Sequence, residues 1–452
     1  MKANKKLLIP ILLAIFTISL SFSISTASAV QSTIYVDPNG SDNWSGEIPT
    51  FNGTDGPKKT IKNAIGIVTT NGTVKISNGR YLEHGIIINK NVNINGENQK
   101  NTIIDGQYSD RIFFVQTGIQ VKISDLTITN GQTKDSGGAI YSKGALTANN
   151  ISFINNKAPY NYGGAIKSNY YSLYLNNCTF TNNRARLSGA IAASYTSITI
   201  NNSIFNYNKA TYGPGGAVLN SRGSLTVKNS KFISNSATKR FGGAFYNTKG
   251  SLSVTNSIFM YNTAPESGAI YAEDSTRTIY INQNTFIKNL ANNGRGGALY
   301  HCHGTLIANN NIFTNNRATI NGGAIYIDSS GLPSVSYSKM IMNNCSFTNN
   351  TASRYAGAIY NHGTLKATNC IFLTNRAITV SGGAICNARG NLILAYNKFT
   401  SNKSIKGGAI YSHYGKINIT KNVFKGNLGK YLKYKGLYLY QAKGTVSYNK
   451  FS

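Results

Sequence analysis

The stretch Gly137-Gly138-Ala139-Ile140-Tyr141 decides the fold, because the same word returns at a nearly fixed interval to the end of the chain. It recurs as Gly163-Gly164-Ala165-Ile166, Ser188-Gly189-Ala190-Ile191, Gly215-Gly216-Ala217-Val218 and so on to Gly407-Gly408-Ala409-Ile410. Successive alanines lie 26, 25, 27, 27, 25, 29, 26, 34, 26 and 25 residues apart. A second word, Phe-x-x-Asn, interleaves with it from Phe153/Asn156 through Phe232/Asn235 to Phe424/Asn427. Self-similarity at such a period is the mark of a stacked repeat.

One period predicts the rung. In Gly223 to Tyr246, Leu225 and Val227 alternate with Thr226 and Lys228, the pattern of a half-buried strand. Asn229-Ser230 reads as a turn, Phe232 as inward again, Asn235 as a second turn and Gly242 to Tyr246 as a third strand. A segment this short cannot close a core alone and must stack on its neighbours. Three strands and three turns per period, stacked at ~4.8 Å, predict an all-β, right-handed parallel β-helix. Asparagines in register are expected to bond along the stack, with the phenylalanines stacked beside them. The 34-residue interval holds Ser329-Ser330-Gly331-Leu332-Pro333-Ser334, read as a loop excursion from one rung.

Outward from the repeats, the first 29 residues read as a secretory signal. Lys2, Lys5 and Lys6 precede the apolar run Leu7 to Phe22, and Ala27-Ser28-Ala29 supplies an A-x-A cleavage site. The run is long enough that an uncleaved anchor is the alternative. No later stretch is continuously apolar, so no transmembrane helix is expected after signal removal. Residues 30–80 are expected to form an N-terminal cap, and 81–452 the β-helix. Within the cap, Ile61, Ala64, Ile65 and Val68 recur at helical spacing behind Thr60, predicting a short capping helix. Ile34 to Val36 and Thr73 to Ile76 read as strands, and Asn78-Gly79-Arg80-Tyr81 as a turn.

The chain carries 45 basic and 14 acidic residues, a formal charge of +31 that falls by three, to +28, without the leader. That surplus favours polyanions: an acidic envelope polymer, an anionic membrane surface, or nucleic acid without sequence specificity. Export permits disulfides, but five cysteines show no framework spacing. Cys178, Cys345 and Cys370 each precede a repeat Phe by two residues, where other repeats have Ser203, Ser230 or Asn284. They read as reduced, small core residues, with Cys345 and Cys370 expected close together.

The Gly-Gly-Ala-Ile and Phe-x-x-Asn words over about residues 120–452 resemble the polymorphic outer-membrane protein repeat, found also in adhesin-like surface proteins of methanogenic archaea. The front end is similar to the N-terminal cap of pectate-lyase-like right-handed β-helices. The residues that carry this likeness are Tyr35-Val36-Asp37-Pro38-Asn39-Gly40, Gly56-Pro57-Lys58-Lys59-Thr60-Ile61 and Asn78-Gly79-Arg80-Tyr81. The resemblance implies the right-handed coil. It leaves function open, because that fold hosts both adhesins and polysaccharide-degrading enzymes.

Ten of the acids precede residue 136, leaving only Glu266, Glu273, Asp274 and Asp328 for the rest. Glu273 and Asp328 each lie four residues after a repeat Ala, two rungs apart, which predicts about 9.6 Å between them. Scattered carboxylates balancing local cations explain them equally, so no catalytic residue is assigned. His301-Cys302-His303 looks like a metal motif, but strand alternation would turn Cys302 away from both histidines, with no third ligand evident. No metal or cofactor is therefore expected.

Tyr141, Tyr246, Tyr271, Tyr300, Tyr326, Tyr360 and Tyr411 share one phase, two residues past the repeat Ala, where Lys167 also occurs. The lysine predicts that this phase faces outward. An exposed tyrosine row offers flat apolar faces with polar rims, suited to sugar rings; equally, the row could simply cover one sheet. The leading expectation is a secreted or cell-surface adhesin-like protein that binds polysaccharide or acidic envelope polymer, with other cells as further partners. A polysaccharide lyase or glycoside hydrolase and a passive surface stalk are the alternatives.

Overall fold

The computed structural model describes residues 32–273, 277–329, 338–430 and 436–452. The expected signal segment, Asp274 and most of the 329–334 excursion lie outside them. Every pairing between neighbouring strands is parallel, and rung follows rung in the registers that the repeat words predict. The chain is a parallel β-helix, and one of its sheets has 14 strands.

The rung differs in two respects from its expected three strands. Ser224–Lys228 and Lys231–Ile233 form one broad face, bent at Asn229, and Phe245–Thr248 forms another. Between them Ser236–Ala237 makes a two-residue strand in a narrow third sheet, where a turn alone was expected. Gly242 to Ala244 lie outside the strand, which begins only at Phe245, with Gly243 and Ala244 as bends. The bend at Asn229 needs a positive φ (51°), and most equivalent corners also carry Asn (Asn150, Asn177, Asn202, Asn256, Asn310, Asn344 and Asn369), with Gln283, Tyr396 and Lys421 in the same conformation at others. Asparagine is the non-glycine residue that tolerates this conformation best.

The glycine pair divides its work. Gly163 sits at φ 66°, and Ser188, Ser267 and Ala356 adopt the same conformation at equivalent positions. The second glycine is never replaced. A Cβ on Gly164 would lie 2.2 Å from the carbonyl oxygen of Gly189 on the next rung. Only a bare backbone fits that spacing.

Inside, Phe153 to Phe424 form a continuous ring stack, for example 4.5 Å between Phe180 and Phe205 and 4.7 Å between Phe372 and Phe399, and the exposed Phe451 adds one more ring to it. Beside it runs the asparagine ladder. Asn235 Nδ2 donates to Asn262 Oδ1 at 3.0 Å and to the Phe205 carbonyl at 2.9 Å, while Asn262 Oδ1 also accepts from the Asn235 backbone N–H. Each buried turn is thereby satisfied by the rung that follows it. All five cysteines are free and buried; Cys178, Cys345 and Cys370 lie in the core, as their phase predicts, while Cys302 and Cys386 lie on the outward side of the 14-stranded sheet. Cys345 and Cys370 contact one another, their rungs being hydrogen-bonded neighbours.

At the front, Thr33–Val36 pairs in parallel with Thr73–Ile76. The helix Ile61–Ile67 starts at Thr60, whose Oγ1 accepts from the Asn63 N–H, and it buries Ile61, Ala64 and Ile65. The Asn78–Tyr81 segment, expected as a turn, is mostly strand: Gly79–Leu82 pairs with Thr102–Asp105. Tyr81 is held inward there, its hydroxyl donating to the Ser77 carbonyl at 2.9 Å. Among the described residues no helix is long and apolar enough to cross a membrane.

Candidate functional site

The 14-stranded sheet carries the tyrosines. In each of its strands the residue after the repeat Ala points into the core (Ile270, Leu299 and Ile325 are fully buried), so the next residue points out. Register places Tyr246, Tyr271, Tyr300, Tyr326 and Tyr360 on five consecutive rungs. Their ring centroids step by 5.0, 5.1, 5.0 and 4.8 Å. Tyr141 lies apart from these five, edge-on to Phe114 and between Arg111 and Lys143. Tyr411 stacks instead on Tyr438 at 5.5 Å.

The row points away from the core, as expected, but it is not an exposed row. Tyr300 and Tyr326 are each only 5% exposed, and the other five are half-buried. The rings cover one another, and residues three before the repeat Ala close over them. Phe241 stacks on Tyr271 at 4.9 Å, Arg295 lies 5.2 Å from the Tyr326 ring, and Tyr355 meets Tyr360 edge-on. Burial raises the hydroxyl pKa of Tyr271, Tyr300, Tyr326 and Tyr360, so all stay neutral. Lysine was a poor witness to exposure. Lys167 is 7% exposed, with its Nζ bonded to Ser194 Oγ at 3.2 Å and 5.2 Å from the Tyr162 ring. Burial lowers its pKa to about 8.

Where the column is interrupted, the surface opens. Lys167, Ala192 and Leu219 follow one another in register between Tyr141 and Tyr246. Over them lies a cleft of about 530 Å³, whose walls include Asn161, Tyr162, Asn169, Ser221 and Tyr246. Cys386 interrupts the column between Tyr360 and Tyr411 and floors a second cleft of about 310 Å³, walled by Tyr355, His362, Arg389 and His413.

A polar column runs beside the tyrosines, four residues after the repeat Ala: Thr248, Glu273, Cys302 and Asp328 in register, with His362 next. Glu273 and Asp328 are two rungs apart with Cys302 between them. Each carboxylate meets a histidine from the rung after it: Glu273 Oε1 lies 3.7 Å from His303 Nδ1, and Asp328 Oδ1 3.8 Å from His362 Nδ1. Thr248 Oγ1 donates to Glu273 at 3.2 Å, and the Tyr300 hydroxyl donates to Asp328 at 2.5 Å. Glu266 and Arg295 flank the row, so every described acid beyond residue 135 lies on this one face.

The histidine–cysteine stretch departs from simple alternation. His301 points into the core, fully buried, with Nε2 3.2 Å from the Gly304 carbonyl, and its pKa falls to about 4 by desolvation. Cys302 points out, and burial under the tyrosines pushes its thiol up to about 12. His303 takes a left-handed turn (φ 61°), which brings its ring round to the side of Cys302. The expected separation of Cys302 from His303 is thereby overturned, and Glu273 is the third group the sequence did not reveal. The signal was available in part, since Cys302 shares the phase of Glu273 and Asp328. The turn that redirects His303 has no such mark.

Among known protein families, one described as a right handed beta helix region matches residues 84–259, which fixes the hand of the coil. The Chlamydia polymorphic membrane protein repeat matches residues 312–328 and 344–362. No curated protein matches the chain. Among solved structures it is similar to an alginate lyase, at 12% identity and a TM-score of 0.38, covering 86% of this chain and 93% of that one. It is similar also to a PL6 family polysaccharide lyase from Pseudopedobacter saltans, at 11% identity and a TM-score of 0.29, covering 85% and 90%. A third is the pectin methylesterase PemA from Erwinia chrysanthemi, at 9% identity and a TM-score of 0.28, covering 76% and 90%. At these scores the likenesses carry no argument about activity.

Proposed function

We propose that this chain is a secreted or cell-surface, adhesin-like β-helix that binds polysaccharide or acidic envelope polymer along its tyrosine-bearing face. The observation that carries the reading is the pair of clefts where the tyrosine column breaks. Each pairs an aromatic wall with a cationic lining residue: Tyr162 with Lys167 in the first, Tyr355 with Arg389 in the second. The buried tyrosines between them make a rigid floor rather than the contact surface. Leu219 and Cys386 are six rungs apart in the column, about 29 Å at ~4.8 Å per rung. An extended sugar chain lying along the axis reaches both clefts, and weak contacts add through repetition. The repeat matched at residues 312–328 and 344–362 is named for a membrane protein of Chlamydia, and the secretory leader expected from the sequence fits an exported chain.

The second reading, a glycan-cleaving enzyme, rests on the Glu273–Asp328 pair. Both carboxylates are engaged by a histidine and a hydroxyl, an arrangement that also serves as a static polar network. A glycan array probed with the chain from Val30 onward separates the two readings. Intact binding of an acidic polysaccharide is expected, weakened about tenfold by Lys167→Ala, the size of one charge-assisted contact. Depolymerised product would establish the enzyme. Binding indifferent to Lys167→Ala and to Cys386→Tyr, which refills the second break, would remove the clefts from the account.

A further inference from the structure

We infer that Glu273, Cys302 and His303 form a binding site for a borderline-soft divalent cation such as Zn2+. One ligand atom from each residue lies within 4.8 Å of the others, the one such group of three or more among the described residues. Three features of the fold build it. Cys302 stands opposite Glu273 in register on the next rung, so both side chains leave the sheet on the same face. The left-handed turn at His303 carries the imidazole back toward that pair, its Nδ1 3.7 Å from Glu273 Oε1. Thiolate, imidazole and carboxylate are together the donor set that zinc takes at about 2.0–2.3 Å, with tetrahedral edges a little shorter than the present spacing. Small rotations of three side chains close that difference.

The surroundings orient the ligands. Thr248 Oγ1 holds the second oxygen of Glu273 at 3.2 Å, and the Tyr271 hydroxyl lies 3.1 Å from Cys302 Sγ. Outer contacts of this kind fix ligand geometry in metal sites. Cys302 is nearly buried, while Glu273 and His303 keep about a quarter of their side chains exposed. That leaves an entry path, and a fourth position open to water or to an incoming ligand. The site does not depend on the carbohydrate reading and is tested without any glycan.

The test uses the chain from Val30 onward, stripped with chelator and titrated with Zn2+ by calorimetry and with Co2+ by absorbance. One equivalent per chain is expected, with a sulfur-to-cobalt charge-transfer band in the near ultraviolet. Cys302→Ser should abolish that band, and Glu273→Gln and His303→Ala should each weaken Zn2+ binding by at least about tenfold. Cys178→Ser, which alters a thiol buried elsewhere in the coil, should leave both readouts unchanged. Circular dichroism on every variant separates lost binding from lost fold. Absence of stoichiometric binding overturns the proposal, as does a charge-transfer band that survives in folded Cys302→Ser.

Discussion

Two aromatic stacks run the length of this coil, and they differ in the way that matters for function. The phenylalanine stack inside repeats without a gap from Phe153 to Phe424, ring on ring at 4.6 to 4.9 Å at its ends. The tyrosine column outside uses nearly the same step, 4.8 Å between Tyr326 and Tyr360, yet it is broken by Lys167, Ala192 and Leu219, and again by Cys386. An interior position has one environment on every rung, so one residue type solves it repeatedly. A face in contact with solvent need not be filled on every rung. Where it is left unfilled, the molecule has its clefts, and where it is filled most tightly it has its acids and outward-facing histidines.

The comparison breaks most readily from the inside. Phe232→Ala removes one ring from a closed stack and should cost about 3–5 kcal/mol. Hydrogen exchange should show the loss confined to neighbouring rungs, because a linear array couples mainly to nearest neighbours. Uniform loss of protection along the chain would mean that the interior is one cooperative unit.

Tyr326→Ser asks how far the outer column behaves as a second core. With 5% of the residue exposed and two tyrosine neighbours, the loss should be about 2 kcal/mol, read as a lower melting temperature. A melting temperature that did not move would restore the row as a solvent-facing binding surface.

The smallest effect sharpens the comparison through charge. His301 is buried and neutral, its pKa lowered from 6.5 to about 4 by desolvation, whereas the unfolded chain takes up the proton near 6.5. The unfolded state therefore binds more protons between those values, and stability falls as pH drops through that window. From pH 6.5 to 5.5 this residue should account for about 1 kcal/mol. His301→Asn, matching Asn247 and Asn361 at equivalent inward positions, should flatten that part of the pH profile. An unchanged slope in urea titrations would place the titrating group elsewhere.

Much of this was legible in the residues. The period and the Phe-x-x-Asn word yield the coil, its register, the asparagine ladder and the phase of every tyrosine. Thr60 and the spacing of Ile61, Ala64 and Ile65 yield the helix. The two-residue strand Ser236–Ala237 was not legible, since a strand so short has no periodicity to detect. Nor was the covering of the tyrosines, because Phe241, Arg295 and Tyr355 reach them from the preceding turn, whose path across the sheet carries no repeat word.

By itself, then, the sequence determined which side of each strand faces the core, because alternation along a strand is a local property of the backbone. Tertiary structure decided how much of the outward side meets solvent, because exposure depends on turns and side chains arriving from other parts of the rung. It also decided that His303 joins Cys302 and Glu273. One residue at positive φ reverses the local alternation, and the third group arrives from the rung before, 29 residues earlier between the two repeat alanines, Ala269 and Ala298.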